Sequence, residues 1–315
     1  MHAKIVLLPG SPVGERLCGI AEEVLTDVSV AFGHTFSIVR DKIGEAAMRA
    51  YGVPLSENTL RLCGQANAVF IGDADNEAEP FLLRALGIPA KSREFSVGGA
   101  ENARFMITRA VSQEKTALRD IFHSAISQAK EDGIRLSYLL PESEADAQTF
   151  LDALEAEQAD LKYDKVEELS PSEAIQALLL APSDIGLLVA PAYAGQMCVT
   201  LATCLHGAPM LLHDACIGKK VTVVEPCIPE HVKANDDLNP LGAIAGVASL
   251  LRYSLRLTQE ADCVSSAVRN VLEAGWRTPD MTSMGDGVSC YKMLQLISDQ
   301  INLAGELLQQ HGGNK

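Results

Sequence analysis

Short apolar runs recur along this chain, among them Ile5-Val6-Leu7-Leu8, Ala68-Val69-Phe70-Ile71 and Leu187-Leu188-Val189-Ala190. A strand that is apolar on both faces must be covered on both faces, as happens in a sheet held between layers. Segments with helical spacing fill the intervals. Residues 14–31 put Ile20, Val24 and Leu25 on one side, and residues 113–131 do the same with Leu118, Ile121, Phe122 and Ile126. Strand alternating with helix predicts an α/β fold, with a parallel or mixed sheet between helical layers. Strands are expected at 4–8, 36–39, 68–72, 105–108, 135–140 and 185–190. Ser56-Glu57-Asn58-Thr59 ahead of Leu60 marks a capped helix start, and 144–158 reads as an acidic amphipathic helix. Long helices are expected at 241–257 and 261–274, separated by the polar Thr258-Gln259-Glu260, with a last one at 287–310. Residues 73–102, rich in Gly, Pro and charge, read as looser chain.

Composition narrows the function classes. With 315 residues, 47% of them hydrophobic, the chain is too apolar for disorder and long enough for one large or two medium domains. Lys and Arg number 26 against 41 Asp and Glu, a net charge of −15. There is no basic run, so nucleic acid finds no cationic footprint and an anionic membrane surface is disfavoured. The apolar stretch 174–195 is broken by Ser183 and Asp184, and the one after Gly242 by Arg252. Neither offers the roughly 20 clean residues of a membrane span. The apolar run at the N-terminus is too short for a secretory signal. The eight cysteines are scattered over the whole length, which reads as reduced thiols in a cytoplasmic protein.

Three stretches are more specific. The first is Lys4-Ile5-Val6-Leu7-Leu8-Pro9-Gly10 with Gly14 beyond it. The second runs from Ile43-Gly44-Glu45-Ala46-Ala47 through Tyr51-Gly52-Val53-Pro54-Leu55 to Ala68-Val69-Phe70-Ile71-Gly72. The third begins at Asn239-Pro240-Leu241-Gly242 and continues through Leu250-Leu251-Arg252-Tyr253 to Glu273-Ala274-Gly275-Trp276-Arg277-Thr278-Pro279-Asp280 and Met284-Gly285-Asp286. Together they resemble the isocitrate/isopropylmalate dehydrogenase family, on its 3-isopropylmalate dehydrogenase side, over nearly the whole chain. The resemblance implies a two-domain α/β fold with mixed sheets flanked by helices and a cleft between the domains. Residues 1–96 plus 207–315 would form the domain of the terminal segments, and 97–206 the central, dimerising one. It also implies oxidation and decarboxylation of a 2-hydroxy acid with NAD or NADP and Mg²⁺ or Mn²⁺. In that chemistry the metal is a Lewis acid, a Lys and a Tyr move protons, and arginines hold the substrate carboxylates.

The family's chemical positions have changed here. The loop Gly-Asp-Gly-Ile-Gly-Pro-Glu is replaced by Gly10-Ser11-Pro12-Val13-Gly14-Glu15-Arg16. The metal motif Asn-Leu-Phe-Gly-Asp-Ile-Leu-Ser-Asp becomes Ala192-Tyr193-Ala194-Gly195-Gln196-Met197-Cys198-Val199-Thr200, so Gln196 and Thr200 stand where the aspartates belong. A hard divalent cation needs anionic oxygen ligands, and no Mg²⁺ or Mn²⁺ site is expected. The Val-His-Lys-Ala-Asn stretch reads Leu139-Leu140-Pro141-Glu142-Ser143, without Lys. The Tyr-bearing segment is shortened to residues 110–117 and has no Tyr, and the third acidic position falls at Ser170-Pro171. No catalytic residue is therefore assigned.

Arginines persist. Arg93 matches the Ala-Asn-Leu-Arg-Pro motif and Arg109 the Leu-Leu-Ile-Val-Arg-Glu motif, while Arg84 lies near the first family arginine, slightly out of register. These three are the expected binders of a small carboxylate or other anion. In the cofactor loop, Glu230 echoes a family Asp that holds ribose, and Asn239-Pro240 is intact. Glu230 and Asn239 are the residues through which NAD would be held. Residues 198–231 gather Cys198, Cys204, His206, His213, Cys216, Cys227 and His231, but at spacings that match no closed zinc motif. Two function classes follow. One is a catalytically degenerate relative that binds a small carboxylate or serves as a non-catalytic subunit. The other is an NAD-dependent oxidative decarboxylase with a rearranged active site. The expected assembly is a homodimer or a heteromer with a related subunit.

Overall fold

In this computed structural model the apolar runs become mostly parallel strands, one set in each of two units of the chain. All residues are described except 75–77, 97–103, 207–210, 230–231, 233–237, 283–285 and 313–315. The first unit comprises Met1–Leu86 and Ala208–Lys315, and the second Gly87–Gly207.

The first unit opens with β1 (His2–Leu8), α1 (Pro12–Phe32), β2 (Thr35–Arg40), α2 (Gly44–Tyr51), α3 (Glu57–Gly64), β3 (Ala68–Ile71) and α4 (Ala78–Ala85). The second unit holds β4 (Ala90–Ser96), β5 (Arg104–Ala110), α5 (Lys115–Asp132), β6 (Leu136–Tyr138), α6 (Glu144–Leu161), β7 (Val166–Glu168), α7 (Pro171–Leu180), β8 (Leu187–Ala190) and α8 (Ala192–His206). The chain then returns to the first unit with β9 (His213–Ile217), β10 (Thr222–Pro226), α9 (Leu241–Ser249), α10 (Thr258–Glu273) and α11 (Cys290–Gly312).

Strand order in the first unit is β2-β1-β3-β10-β9, with only β9 antiparallel to its neighbour. In the second unit it is β4-β5-β8-β6-β7, with β4 and β5 antiparallel and the rest parallel. Both sheets are mixed and helix-covered, as the alternating pattern predicts. Ile5, Leu7, Phe70 and Val224 of the first sheet pack with Leu17 and Val24 of α1, Ile244 and Val247 of α9, and Leu294 and Ile297 of α11. In the second unit Phe122 of α5 meets Phe150 of α6 edge to face at 4.8 Å, over Leu136, Tyr138 and Val189.

Local chemistry sets the helix ends. The Ser11 hydroxyl accepts from Gly14 N at 3.1 Å and caps α1, which stops at Gly33 with φ +69°. The Ser56 hydroxyl caps α3 as its sequence predicts, accepting from Thr59 N. Ser170 and Glu173 form a reciprocal capping box on α7.

The structure adds elements to those read from the sequence, among them β7, β9, β10, α7 and α8, and it departs from that reading around residues 73–102 and 241–260. Residues 73–102 are not merely loose chain, because they contain α4 and β4. Strand β4 hydrogen-bonds along its whole length to β5, in the second unit. The helix expected at 241–257 ends as α9 at Ser249 and widens into a π turn over Leu250–Ser254. Arg256 then takes a left-handed φ of +58°, and Thr258-Gln259-Glu260 opens α10 instead of separating two helices. Among the described residues no helix is long and apolar enough to cross a membrane.

Candidate functional site

Cationic side chains gather on one face of the β4–β5 pair. In the antiparallel register Lys91 stands across from Arg109 and Arg93 across from Ile107. Directly opposed residues leave the same side of a sheet, and so do residues two apart. Lys91, Arg93 and Arg109 therefore share a face, and Phe95 and Phe105 stack at 4.9 Å further along it. Arg93 is 8% exposed and Arg109 6%.

Helix α8 lies on this face. The Arg109 guanidinium donates through Nη1 to Oε1 of Gln196. Gln196 Nε2 in turn donates to Thr200 Oγ1 at 3.4 Å, and that hydroxyl donates to the Gln196 carbonyl at 2.9 Å. Arg93 Nη1 donates to Thr203 Oγ1 at 3.4 Å, and Thr203 donates to the Val199 carbonyl at 2.7 Å. The helix approaches closely because residue 195 is glycine. A Cβ there would sit 2.8 Å from Arg109 Cγ and 3.2 Å from Ala190 Cβ.

Arg93 and Arg109 thus share one face of the β4–β5 pair. Arg84 is on α4 in the first unit, exposed, with Nε donating to the Pro80 carbonyl at 3.3 Å. The sequence reading missed Lys91 and the packing role of Gly195. Lys91 becomes visible only once the β4–β5 register is known.

Residues in or near the stretches that resemble the family's catalytic motifs serve helix ends and a surface pair. Ser143 caps α6, accepting from Asp146 N, and Ser170 caps α7. Lys115, near the missing Tyr, pairs with Asp152 at 2.9 Å on the surface.

At the carboxyl ends of β1 and β3 in the first unit, backbone packs on backbone. A Cβ at Gly14 would meet the Pro9 carbonyl oxygen at 1.7 Å, and one at Gly72 the Gly14 carbonyl oxygen at 2.2 Å. The Ser11 hydroxyl at the start of α1 donates to the Asp73 carboxylate, and Glu225 at the end of β10 accepts from Ala74 N at 3.1 Å. Asp73 and Glu225 were not singled out in the sequence.

Asn239 is 1% exposed. Its Oδ1 accepts from Leu241 N at 2.9 Å, and its Nδ2 donates to both oxygens of Asp280, at 3.0 and 3.3 Å. Its amide therefore secures the start of α9. Glu230 lies outside the described residues.

The α8 donors do not fit a divalent metal. They are an amide and a hydroxyl, and the amide oxygen already faces a guanidinium, whereas Mg²⁺ and Mn²⁺ are held by carboxylates. Of the Cys/His-rich stretch, Cys198 is buried and Cys204 exposed on α8, while Cys216 is buried on β9. His213 Nε2 bonds with Ser249 Oγ at 2.7 Å. Among the described residues no three His, Cys, Asp or Glu side chains are placed to hold a metal ion.

The family model for isocitrate/isopropylmalate dehydrogenase matches residues 111–297, more than half of the chain. The chain belongs to the isocitrate/isopropylmalate dehydrogenase family. It is 25% identical to the 3-isopropylmalate dehydrogenase of Geobacillus kaustophilus, over 95% of each sequence. It is also 25% identical to that of Moorella thermoacetica, over 95% of this chain and 99% of the relative. Among solved structures it is similar to isocitrate dehydrogenase from Methylococcus capsulatus, with TM-score 0.82, 19% identity, and 96% and 100% of the two chains covered. It is similar as well to a beta-decarboxylating dehydrogenase from Thermococcus kodakarensis, with TM-score 0.83, 18% identity and 98% of each chain covered.

Proposed function

We propose that this protein is a catalytically degenerate member of its family that binds a small carboxylate ligand on the β4–β5 face. The observation that carries the reading is the bond from Arg109 to Gln196. It puts a buried cation against a neutral amide at a position where the family has a metal-binding aspartate. Arg93, one register step away and equally buried, adds a second guanidinium. Planar guanidinium groups recognise carboxylates through paired N–H donors. Turnover would need more than binding. Loss of the aligned Lys, Tyr and aspartates removes proton transfer and Lewis-acid activation together, the named sources of rate in the family's reaction. Titration with citrate, malate and isopropylmalate is expected to release heat and raise the melting temperature. No heat and no melting shift with any of them would sink the reading.

A second reading, an NAD-dependent oxidative decarboxylase of a 2-hydroxy acid with a rearranged site, is favoured by the 95% coverage of 3-isopropylmalate dehydrogenases. It requires NADH formation with Mg²⁺ or Mn²⁺.

A homodimer, or a heteromer with a related subunit, is supported by apolar side chains exposed on α7 (Ile175, Leu179, Leu180) and α8 (Tyr193, Met197, Leu205). The eight free thiols support a cytoplasmic location.

A further inference from the structure

We infer that the first unit binds a phosphate group, free or as a small monoester, at the amino end of its sheet, the end opposite Gly14 and Gly72. The inference does not depend on the anion-binding reading of the β4–β5 face. A recess of about 250 Å³ is lined there by His2, Ala3 and Lys4 of β1, Thr35 and Ser37 of β2, and Asn67 just ahead of β3. In the parallel register His2 stands beside Thr35 and Lys4 beside Ser37. Paired residues leave the same side of a sheet and successive ones alternate, so these four side chains share a face. Ala3 and Ile5 take the other side, in the hydrophobic core.

The chemistry of the lining is one-sided. It offers an ammonium, an imidazole, two hydroxyls and a carboxamide, and among the described residues that line it there is no carboxylate. The Lys4 backbone N–H donates to Asn67 Oδ1 at 2.8 Å, which orients the amide and leaves Nδ2 to donate elsewhere. Among the described residues, Lys4 Nζ, the His2 ring, the Thr35 and Ser37 hydroxyls and Asn67 Nδ2 have no hydrogen-bond or ion-pair partner in the protein. Lys220 adds a cation at the same end of the sheet: it precedes Thr222 by two residues, Thr222 pairs with Ala68, and Ala68 pairs with Ile5. A chain of net charge −15 repels anions over most of its surface, so an anion is held where cations stand clear of carboxylates. The donor types select among anions. An ammonium acts as a point charge on phosphate, and separate hydroxyl and amide donors suit an oxyanion with three or more acceptor oxygens. The guanidinium fork that matches a two-oxygen carboxylate is missing from this lining.

The test is calorimetric titration of the full-length protein at low salt with inorganic phosphate, glycerol 3-phosphate and acetate. Inorganic phosphate or glycerol 3-phosphate is expected to bind saturably, and acetate about tenfold more weakly or not at all. Whichever of the two phosphates binds more tightly tells whether the recess takes the free anion or the ester. A Lys4→Gln, His2→Gln double variant removes both charges of the lining and should weaken the phosphate about fivefold or more, whereas Lys4→Arg, which keeps the charge, should weaken it less. Circular dichroism confirms that each variant is folded. Silence with both phosphates, acetate bound as tightly as phosphate, or a loss of less than about fivefold in the double variant overturns the inference. The last of these outcomes would place the phosphate elsewhere on the chain and leave the reading of the β4–β5 face untouched.

Discussion

Arg109 shows how one side chain can be specified by residues far from it in sequence. Its partner Gln196 is 87 positions away, and the glycine that admits its stem precedes that partner. A methyl group at residue 195 would have to displace the arginine stem and Ala190 together. Gly195→Ala is therefore expected to destabilise the second unit by about 1–3 kcal/mol, a typical overpacking cost, and to weaken anion binding. Denaturant unfolding and calorimetry read the two effects, and unchanged values in both would contradict the packing described. The cysteines give a second residue-scale test. Burial pushes the Cys18 and Cys63 thiols up to about 12, although Arg40 and Lys4 respectively oppose it. Thiolates are the reactive form, so both should be silent to a thiol reagent at neutral pH until the chain unfolds.

Individual elements depend on single polar groups. Asn239 joins the start of α9 to the Asp280 carboxylate, which also accepts from the Thr278 hydroxyl at 2.6 Å. Asn239→Ala would leave Leu241 N and part of a carboxylate unsatisfied, so a loss of about 2–3 kcal/mol is expected in thermal or denaturant melts. Helices α5 and α6 are joined at Glu157, which is 5% exposed and accepts from Arg119 Nε at 2.7 Å while pairing with His123 at 3.0 Å. Burial pushes its carboxyl up, but the bonds to Arg119 and His123 outweigh this and hold it below its ordinary value of 4.5. A carboxyl lowered by folding adds stability above its unfolded pKa, and that stability is lost as pH falls through the folded value. Melting temperature measured downward from pH 4.5 should therefore fall more steeply for the wild type than for Glu157→Gln.

The elements also differ in how far the sequence revealed them. Strands β1, β3 and β8 are legible because both faces are buried and the runs carry no polar break. Strand β4 is hidden because Lys91 and Arg93 alternate with Ser92 and Glu94, which looks like surface chain until α8 covers the cationic side. The break at Leu250–Ser254 is hidden because helical spacing continues through a π turn. The site was half legible. Arg93 and Arg109 stand out in the sequence through the motifs they resemble, whereas the pairing of Arg109 with Gln196 requires the packing of α8 on β5.

At the scale of the molecule, the net charge of −15 coexists with a buried cationic face in the second unit. Carboxylates are plentiful, yet the aligned metal positions on α8 hold Gln196 and Thr200. The fold of a dehydrogenase family is kept across the chain. The apolar side chains exposed on α7 and α8 belong to this scale too. Light scattering on a sizing column is expected to give twice the 33.7 kDa chain mass, and Leu180→Glu with Met197→Glu should shift it to the monomer. A wild-type monomer at all concentrations would contradict the assembly proposed.

The central claim, a family fold that binds without turning over, is tested most directly by NADH formation. Wild-type protein is incubated with NAD, Mg²⁺ or Mn²⁺, and a panel of 2-hydroxy acids that includes isopropylmalate, isocitrate and malate. No NADH above the protein-free rate is expected with any of them. Sustained NADH formation that disappears in Arg109→Ala would contradict the account and establish a working dehydrogenase.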